Sequence, residues 1–408
     1  MMIRNSWLLT ALTATTLASA LFLGGCRSNE PASGGQTSTT GSSATNPAPS
    51  GDTIKIGLVA SRNGDLRPWG EDSVNGATLA VEEINKAGGI NGKQIELLVE
   101  DSASKPEEGK AAAEKLASQG VVALVGEVAS GITAQMKIVA LEKGLPLVAV
   151  GATRTDLAEN RNGLFFRVCY TDDFQGPVMA KFAYEELNLR RIALMTDQKA
   201  PYSTGLSDSF RKKFEALGGK IVTEQFYQSG ENQFTGQITN AKAANPDGIF
   251  MSGYFPEVGP MARQIRQQGL TNVRLLGGDG WDSTELVSGG GDAIIGGFFC
   301  NHYNNTEDRP EVKEFLKKWE AKWGGTPGTT MGALGYDSVM LVADALRRAT
   351  SVDSKALAEA LEATEGFKGV SGAITLKGMN GNPPKRALVV EVTREGQVFR
   401  KAYEPGDL

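Results

Sequence analysis

The sequence predicts an α/β chain of two lobes, each with a parallel-sheet core, and three observations carry that prediction. From Thr53 onward, short Val/Ile/Leu runs alternate with amphipathic stretches of helical length, the pattern of parallel strands covered on both faces. After Phe165 to Asp173 (FFRVCYTDD) the alternation restarts, so one architecture is built twice. The foldable part is roughly 350 residues long, more than one hydrophobic core organises.

In the first lobe the strand-like runs are 54–60 (IKIGLVA), 95–100 (IELLVE), 121–126 (VVALVG) and 146–150 (PLVAV). Between the first two, Val74, Ala77, Val81 and Ile84 recur at three- and four-residue spacing over 71–87. That is a helix with one apolar face, and Gly88-Gly89 stops it. Pro106 opens the next helix, where its missing N–H costs nothing. In the second lobe the runs are 191–196 (RIALMT), 220–227 (KIVTEQFY), 247–253 (DGIFMSG) and 273–278 (VRLLGG). A mostly helical section from about 309 to 365 follows, and GAITL, RALVVEV and QVFRKAY near the end read as strands. This tail is too small for a domain of its own and must complete the two lobes. The lobes are then 53–170 with 302–385, and 171–301 with 386–404. They are Rossmann-like units joined by a three-segment hinge.

Arg4, an apolar run over 7–23 and Leu23-Gly24-Gly25-Cys26 read as an export signal over 1–25, too short and threonine-rich for a membrane span. It resembles a bacterial lipoprotein signal, which implies that Cys26 is lipidated and anchors the chain to a membrane outside the cytoplasm. Residues 26–52 are rich in Gly, Ser, Thr and Pro and read as a flexible tether. With a net charge of −5 and interspersed signs there is no basic stripe for nucleic acid. Small molecules or proteins are the expected partners. The single histidine, His302, excludes His-based triads and multi-His metal sites, and no cofactor or metal is expected. With Cys26 lipidated, Cys169 and Cys300 remain, either as a disulfide or as two buried thiols.

Ligands of open α/β sheets sit beyond the carboxyl ends of the strands, so the residues just after each run are the candidates. Ser130 opens a helix after VVALVGEVA and offers a hydroxyl beside free backbone N–H groups, which suits an anion as well as simple capping. Gly151 and Thr153 follow PLVAV with the same chemistry. Opposite them, Tyr202, Tyr254, Asp279 and Trp281 follow three strands of the second lobe. Aromatic faces and one carboxylate make a pocket for an ammonium group. Asp279 and Asp282 lack a third ligand in register for a metal, and Asp282 is read as the cap of the following turn.

The chain resembles the type I periplasmic binding proteins of the leucine/isoleucine/valine-binding kind (the periplasmic binding protein-like I fold), which feed ABC transporters. The resemblance covers nearly all of 53–404. It rests on the ordered set NGATLAVEEINKAGGINGKQIELLVEDSASKP (75–106), VGEVASGIT (125–133), FFRVCYTDDFQGP (165–177), PYSTGL (201–206), GYFPEVG (253–259) and GGDGWD (277–282). It implies a zwitterion clamp. Ser130, Thr153 and the backbone from Ala149 to Gly151 hold the ligand α-carboxylate, and Asp279 pairs with the α-ammonium. Tyr202 and Tyr254 close over the ligand, and Trp69 walls the side-chain pocket.

There are departures from the pattern. Ser104 and Ala129 stand where a common family pattern has a cysteine pair, and the acid at 279 is Asp where some members have Glu. Arg62 and Arg67 in the first loop are rim charges or contacts to a polar ligand side chain. Trp281 adds bulk beside Asp279, which argues against a simple leucine ligand. The expected function is capture of a hydrophobic or neutral amino acid by hinge closure and delivery to an ABC permease, not catalysis. The alternatives are an acidic or polar amino acid or small amide as ligand, or a ligand-sensing lipoprotein that presents to a receptor.

Overall fold

The computed structural model describes residues 53–408. The export signal, Cys26 and the tether lie outside the described residues. Five strands form a parallel sheet: β1 (Ile54–Ala60), β2 (Ile95–Asp101), β3 (Ala123–Val125), β4 (Leu147–Ala149) and β5 (Phe165–Arg167), in the order β2-β1-β3-β4-β5. A second sheet contains β6 (Arg191–Asp197), β7 (Lys220–Tyr227), β8 (Gly248–Met251), β9 (Arg274–Gly277) and β10 (Phe298–Asn301). Its parallel part runs β7-β6-β8-β9-β10, the same permutation as the first sheet. Both sheets therefore switch direction of winding beside their first strand, where open α/β sheets form their crevice.

After a two-stranded hairpin of β11 (Phe367–Gly369) and β12 (Gly372–Ile374), the chain returns to the second sheet and adds β13 (Ala387–Thr393) and β14 (Gly396–Tyr403) antiparallel at its edge. The second core is thus mixed, where the sequence predicts a parallel one. An antiparallel pair needs only a short turn between its strands, and Arg394 and Glu395 with Gly396 supply it.

Eleven α-helices are present among the described residues. Those of the first half are α1 (Arg67–Lys86), α2 (Pro106–Ser118) and α3 (Ser130–Lys143); those between the strands of the second are α4 (Asp172–Lys181), α5 (Pro201–Ala216), α6 (Thr235–Ala243), α7 (Phe255–Gln267) and α8 (Thr284–Gly290). The late section holds α9 (Pro310–Trp323), α10 (Met331–Arg348) and α11 (Ser354–Glu362). No helix among the described residues is long and apolar enough to cross a membrane. Helix α1 begins earlier than the apolar period indicates, because Pro68 sits in its first turn. Trp69 is consequently fixed on a helix rather than carried on a loop.

Val148, Phe166, Leu276 and Val389 are fully buried representatives of the two sheet interiors. The chain passes from the first sheet to the second between β5 and α4, back between β10 and α9, and over again between β12 and β13. Cys169 lies at the first of these crossings and Cys300 in β10, just before the second; both are free, buried thiols, so the thiol alternative describes this structure and the disulfide does not. Burial pushes the Cys169 thiol up to about 12 and raises that of Cys300, which leaves both protonated and unreactive.

Candidate functional site

The carboxyl ends of both sheets face one another, and the first turns that follow them supply the site. Trp69, Val128, Gly151, Thr153 and Met331 come from the first half and Tyr202, Tyr254, Asp279 and Gly280 from the second, around a small cavity of about 10 Å³. That is room for about one water molecule. Tyr254 also borders a larger cavity of about 530 Å³ on the outer side, lined by Leu66, Ile132, Arg154, Lys199 and Glu257 among others. The aromatic walls are mutually packed. Tyr202 and Tyr254 stack with centroids 4.9 Å apart, and Trp69 meets Tyr254 edge-on at 5.2 Å.

Asp279 is the most heavily bonded group of the site. It begins a short 3₁₀ turn, Asp279–Trp281, directly after β9 and is 4% exposed. Its Oδ1 accepts from the Tyr202 hydroxyl at 2.8 Å and from Gln175 Nε2 at 2.8 Å, while its Oδ2 lies 3.1 Å from His302 Nε2. The glycines on either side make this approach feasible. A Cβ at Gly278 would lie 2.5 Å from Leu206 Cδ2 and 2.8 Å from the Tyr202 hydroxyl, and one at Gly280 would lie 2.8 Å from the Gly253 carbonyl oxygen. A side chain at either position would push Tyr202 or the backbone away from the carboxylate.

Gln175 ties a second acid into the group. Its Nε2 also donates to Asp172 Oδ1 at 2.8 Å, and its Oε1 accepts from the Asp279 N–H at 3.1 Å. Burial, and then the neighbouring Asp279 charge, push the Asp172 carboxyl up to about 7. Burial and the same acid hold the Tyr202 and Tyr254 phenols well above their ordinary range, so both remain hydroxyl donors.

In the first half, Thr153 Oγ1 lies 3.4 Å from Gln175 Nε2 and faces the cavity with Gly151. Ser130 is buried as the first residue of α3, behind an Ala129 cap, and its Oγ accepts from the Arg154 N–H at 3.3 Å. Ala149 is the last residue of β4 and touches the site through its neighbours rather than by lining the cavity. Behind this segment the buried Glu127 accepts from the Val128 and Ala129 N–H groups at 2.8 and 2.9 Å and from the hydroxyls of Ser61 and Ser102.

Two expectations, for Trp281 and Asp282, need correction, and for Arg62 and Arg67 the rim alternative describes the structure. Trp281 does not flank the cavity. It is fully buried in the core of the second half, its Nε1 donates to the Met251 carbonyl at 3.0 Å, and it packs beneath Gly277. Side chains of a 3₁₀ turn eclipse only every third residue, so Asp279 and Trp281 diverge. Arg62 and Arg67 are exposed and do not line the small cavity. Arg67 pairs with Glu71 at 2.8 Å and reaches Glu285 of the opposite half at 3.8 Å, which makes it a rim charge. Asp282 does not cap α8, a task done by Ser283, whose hydroxyl accepts from the Glu285 N–H at 3.1 Å.

Asp282 instead joins the halves. Its Oδ2 accepts from the Thr330 N–H at 2.6 Å and the Thr330 hydroxyl at 2.7 Å, just before α10. Its carbonyl oxygen accepts from Trp69 Nε1 at 2.7 Å. Asn301 and Gln397 donate to its Oδ1 at 3.1 and 2.7 Å. No group of three or more potential metal ligands is clustered among the described residues.

Two sheets of the same winding, with strand ends converging on a buried carboxylate and an aromatic wall, define the solute-binding class of two-sheet α/β proteins. The chain belongs to the periplasmic binding protein family, whose model matches residues 53–397. It is 32% identical over 323 residues to a Leu/Ile/Val-binding protein of Rhizobium johnstonii, covering 79% of this chain and 87% of that one. It is 31% identical to a leucine-, isoleucine-, valine-, threonine- and alanine-binding protein of Pseudomonas aeruginosa, covering 76% and 83%. Among solved structures, a leucine-binding protein of Thermotoga maritima superposes with a TM-score of 0.82 at 34% identity, covering 87% of this chain and all of that one. A branched-chain amino acid transporter substrate-binding protein of Streptococcus pneumoniae, in complex with isoleucine, gives 0.80 at 32%, covering 86% and 99%.

Proposed function

We propose that this protein is an extracytoplasmic solute-binding lipoprotein of an ABC importer. It captures a hydrophobic or neutral amino acid in the cleft between its two lobes and hands it to permease subunits. The observation that carries the reading is Asp279, a buried carboxylate at a strand end, braced by three side chains and facing a cavity with aromatic walls. The ligand ammonium pairs with Asp279, and its carboxylate meets Thr153, Ser130 and the backbone near Gly151. The ligand bridges both lobes and so favours the closed form, which a permease can distinguish from the open one. Lipidation of Cys26 would hold the protein at the membrane. A thermal-shift screen against the twenty amino acids, small amides and aromatic acids tests the reading, because a ligand of the native state raises the melting temperature. Stabilisation by leucine, isoleucine or valine is expected; no response to any amino acid would defeat it.

The positions of the arginines speak against an acidic ligand. Arg62→Ala and Arg67→Ala are expected to change leucine affinity by less than about fivefold, since exposed ion pairs contribute at most about 1 kcal/mol. A selective loss of glutamate binding would restore them to the site.

Asp172 predicts a proton linkage. Its carboxyl sits near 7 partly because Asp279 repels its charge. An ammonium beside Asp279 cancels part of that repulsion and lowers the value. Binding therefore releases a proton near neutral pH, and affinity rises as pH climbs through about 7. Calorimetry in buffers of different ionisation enthalpy reads the released fraction. Glu257, at the outer cavity, is also pushed up to about 7 by burial, so Asp172→Asn serves as the control that should abolish the linkage.

A further inference from the structure

We infer that His302, the only histidine of the chain, is a positioning residue that fixes the ammonium-accepting oxygen of Asp279. The inference rests on the ammonium-clamp reading above and adds to it a residue outside the cavity lining.

The two oxygens of Asp279 are held unequally. Oδ1 already accepts from Tyr202 and Gln175, while Oδ2 has His302 Nε2 as its one side-chain donor, at 3.1 Å. A carboxylate oxygen accepts about two hydrogen bonds. Oδ1 is thus filled, and the spare acceptor position belongs to Oδ2. The oxygen that His302 holds is the one left for an incoming ammonium.

The imidazole is itself closely fixed. It is fully buried at the crossing between β10 and α9, and it stacks on Tyr170 with centroids 4.2 Å apart and planes 23° from parallel. Its backbone N–H donates to Asn301 Oδ1 at 2.8 Å, and that Asn301 also donates to Asp282. Nδ1 is buried with no partner. The pattern assigns the ring proton to Nε2, where it points at the carboxylate. Asp279 reaches this partner from β9 and His302 from the end of β10, neighbouring strands of one sheet. The bond therefore joins the ends of two neighbouring strands at the point where the chain leaves their sheet.

The experiment uses the lone imidazole as a probe, with any purification tag removed. Nitrogen-15 NMR of the ligand-free protein should show the tautomer protonated at Nε2, with resonances that move in Asp279→Asn. Titration with L-isoleucine should shift them to an end point that follows the calorimetric Kd, although the ring does not line the cavity. His302→Phe keeps the stacking on Tyr170 and removes the donor. It should weaken isoleucine binding by about tenfold or more, the cost of losing a hydrogen bond to a charged group. His302→Gln, which restores a donor, should recover part of that loss.

Several results overturn the inference: an Nδ1-protonated ring, resonances indifferent to Asp279→Asn, or a folded His302→Phe protein of unchanged affinity. Should His302→Phe fail to fold, the tautomer and the Asp279→Asn comparison decide. If no amino acid binds the wild-type protein, the clamp reading fails by itself, while the two measurements on the ligand-free protein still judge the His302 bond.

Discussion

Replacing Asp279 with alanine is expected to take L-isoleucine binding to or below the limit of calorimetric detection. The carboxylate is the counter-charge of the proposed clamp, it is almost wholly buried, and Tyr202, Gln175 and His302 all direct donors at it. Its removal leaves the ligand ammonium desolvated and unpaired. Truncating one partner of a buried charged pair costs about 2–5 kcal/mol, or roughly thirtyfold to several-thousandfold in affinity. The same change removes the group whose charge raises Asp172, so the proton linkage near neutral pH should weaken with it. Retention of full affinity by a folded Asp279→Ala protein, checked by its melting profile, would show that the ammonium goes elsewhere.

Trp281→Ala should have the converse phenotype, a large loss of stability with little change in recognition. The indole is fully buried, bonded to the Met251 carbonyl and tilted against Phe299 at 6.1 Å. Its truncation opens a cavity in the second lobe and orphans that carbonyl, and comparable Trp→Ala changes cost about 3–5 kcal/mol. Denaturant unfolding should show the loss, while isoleucine affinity at a temperature where the variant is folded stays within a few-fold of wild type. A large change in affinity without loss of stability would return Trp281 to the ligand.

Much of this architecture was legible in the residues. The strand runs from IKIGLVA to VRLLGG fall on β1 to β4 and β6 to β9, because buried parallel strands need unbroken apolar stretches bounded by turns. The restart after Phe165 corresponds to a second sheet with the same winding order as the first. Of the strand-end candidates, Gly151, Thr153, Tyr202, Tyr254 and Asp279 line one cavity, together with Trp69, which the family resemblance singles out.

What the residues concealed was direction. Trp281 and Asp279 are two apart in a glycine-rich loop, and only the turn geometry sends one inward and the other to the site. Gln175 sits inside the quoted motif FFRVCYTDDFQGP, yet its spacing says nothing of a partner 104 residues later. As a single imidazole, His302 counts in the sequence only against triads and multi-His metal sites. A buried carboxylate needs donors around it, and asking which side chains could supply them to Asp279 would have drawn both into view. Val128 and Met331 carry no chemical signature, since apolar walls look like any core.

The segment from Asp279 to Asp282 has an evolutionary consequence. One turn carries the acid that faces the cavity and, three residues on, a residue whose carboxylate grips Thr330 and whose backbone carbonyl receives the Trp69 indole N–H. A backbone change that re-aims the first also shifts the second. On the proposed clamp reading, selection for tighter capture at this turn would therefore also alter the contacts that join the halves, so that affinity and reopening would evolve together.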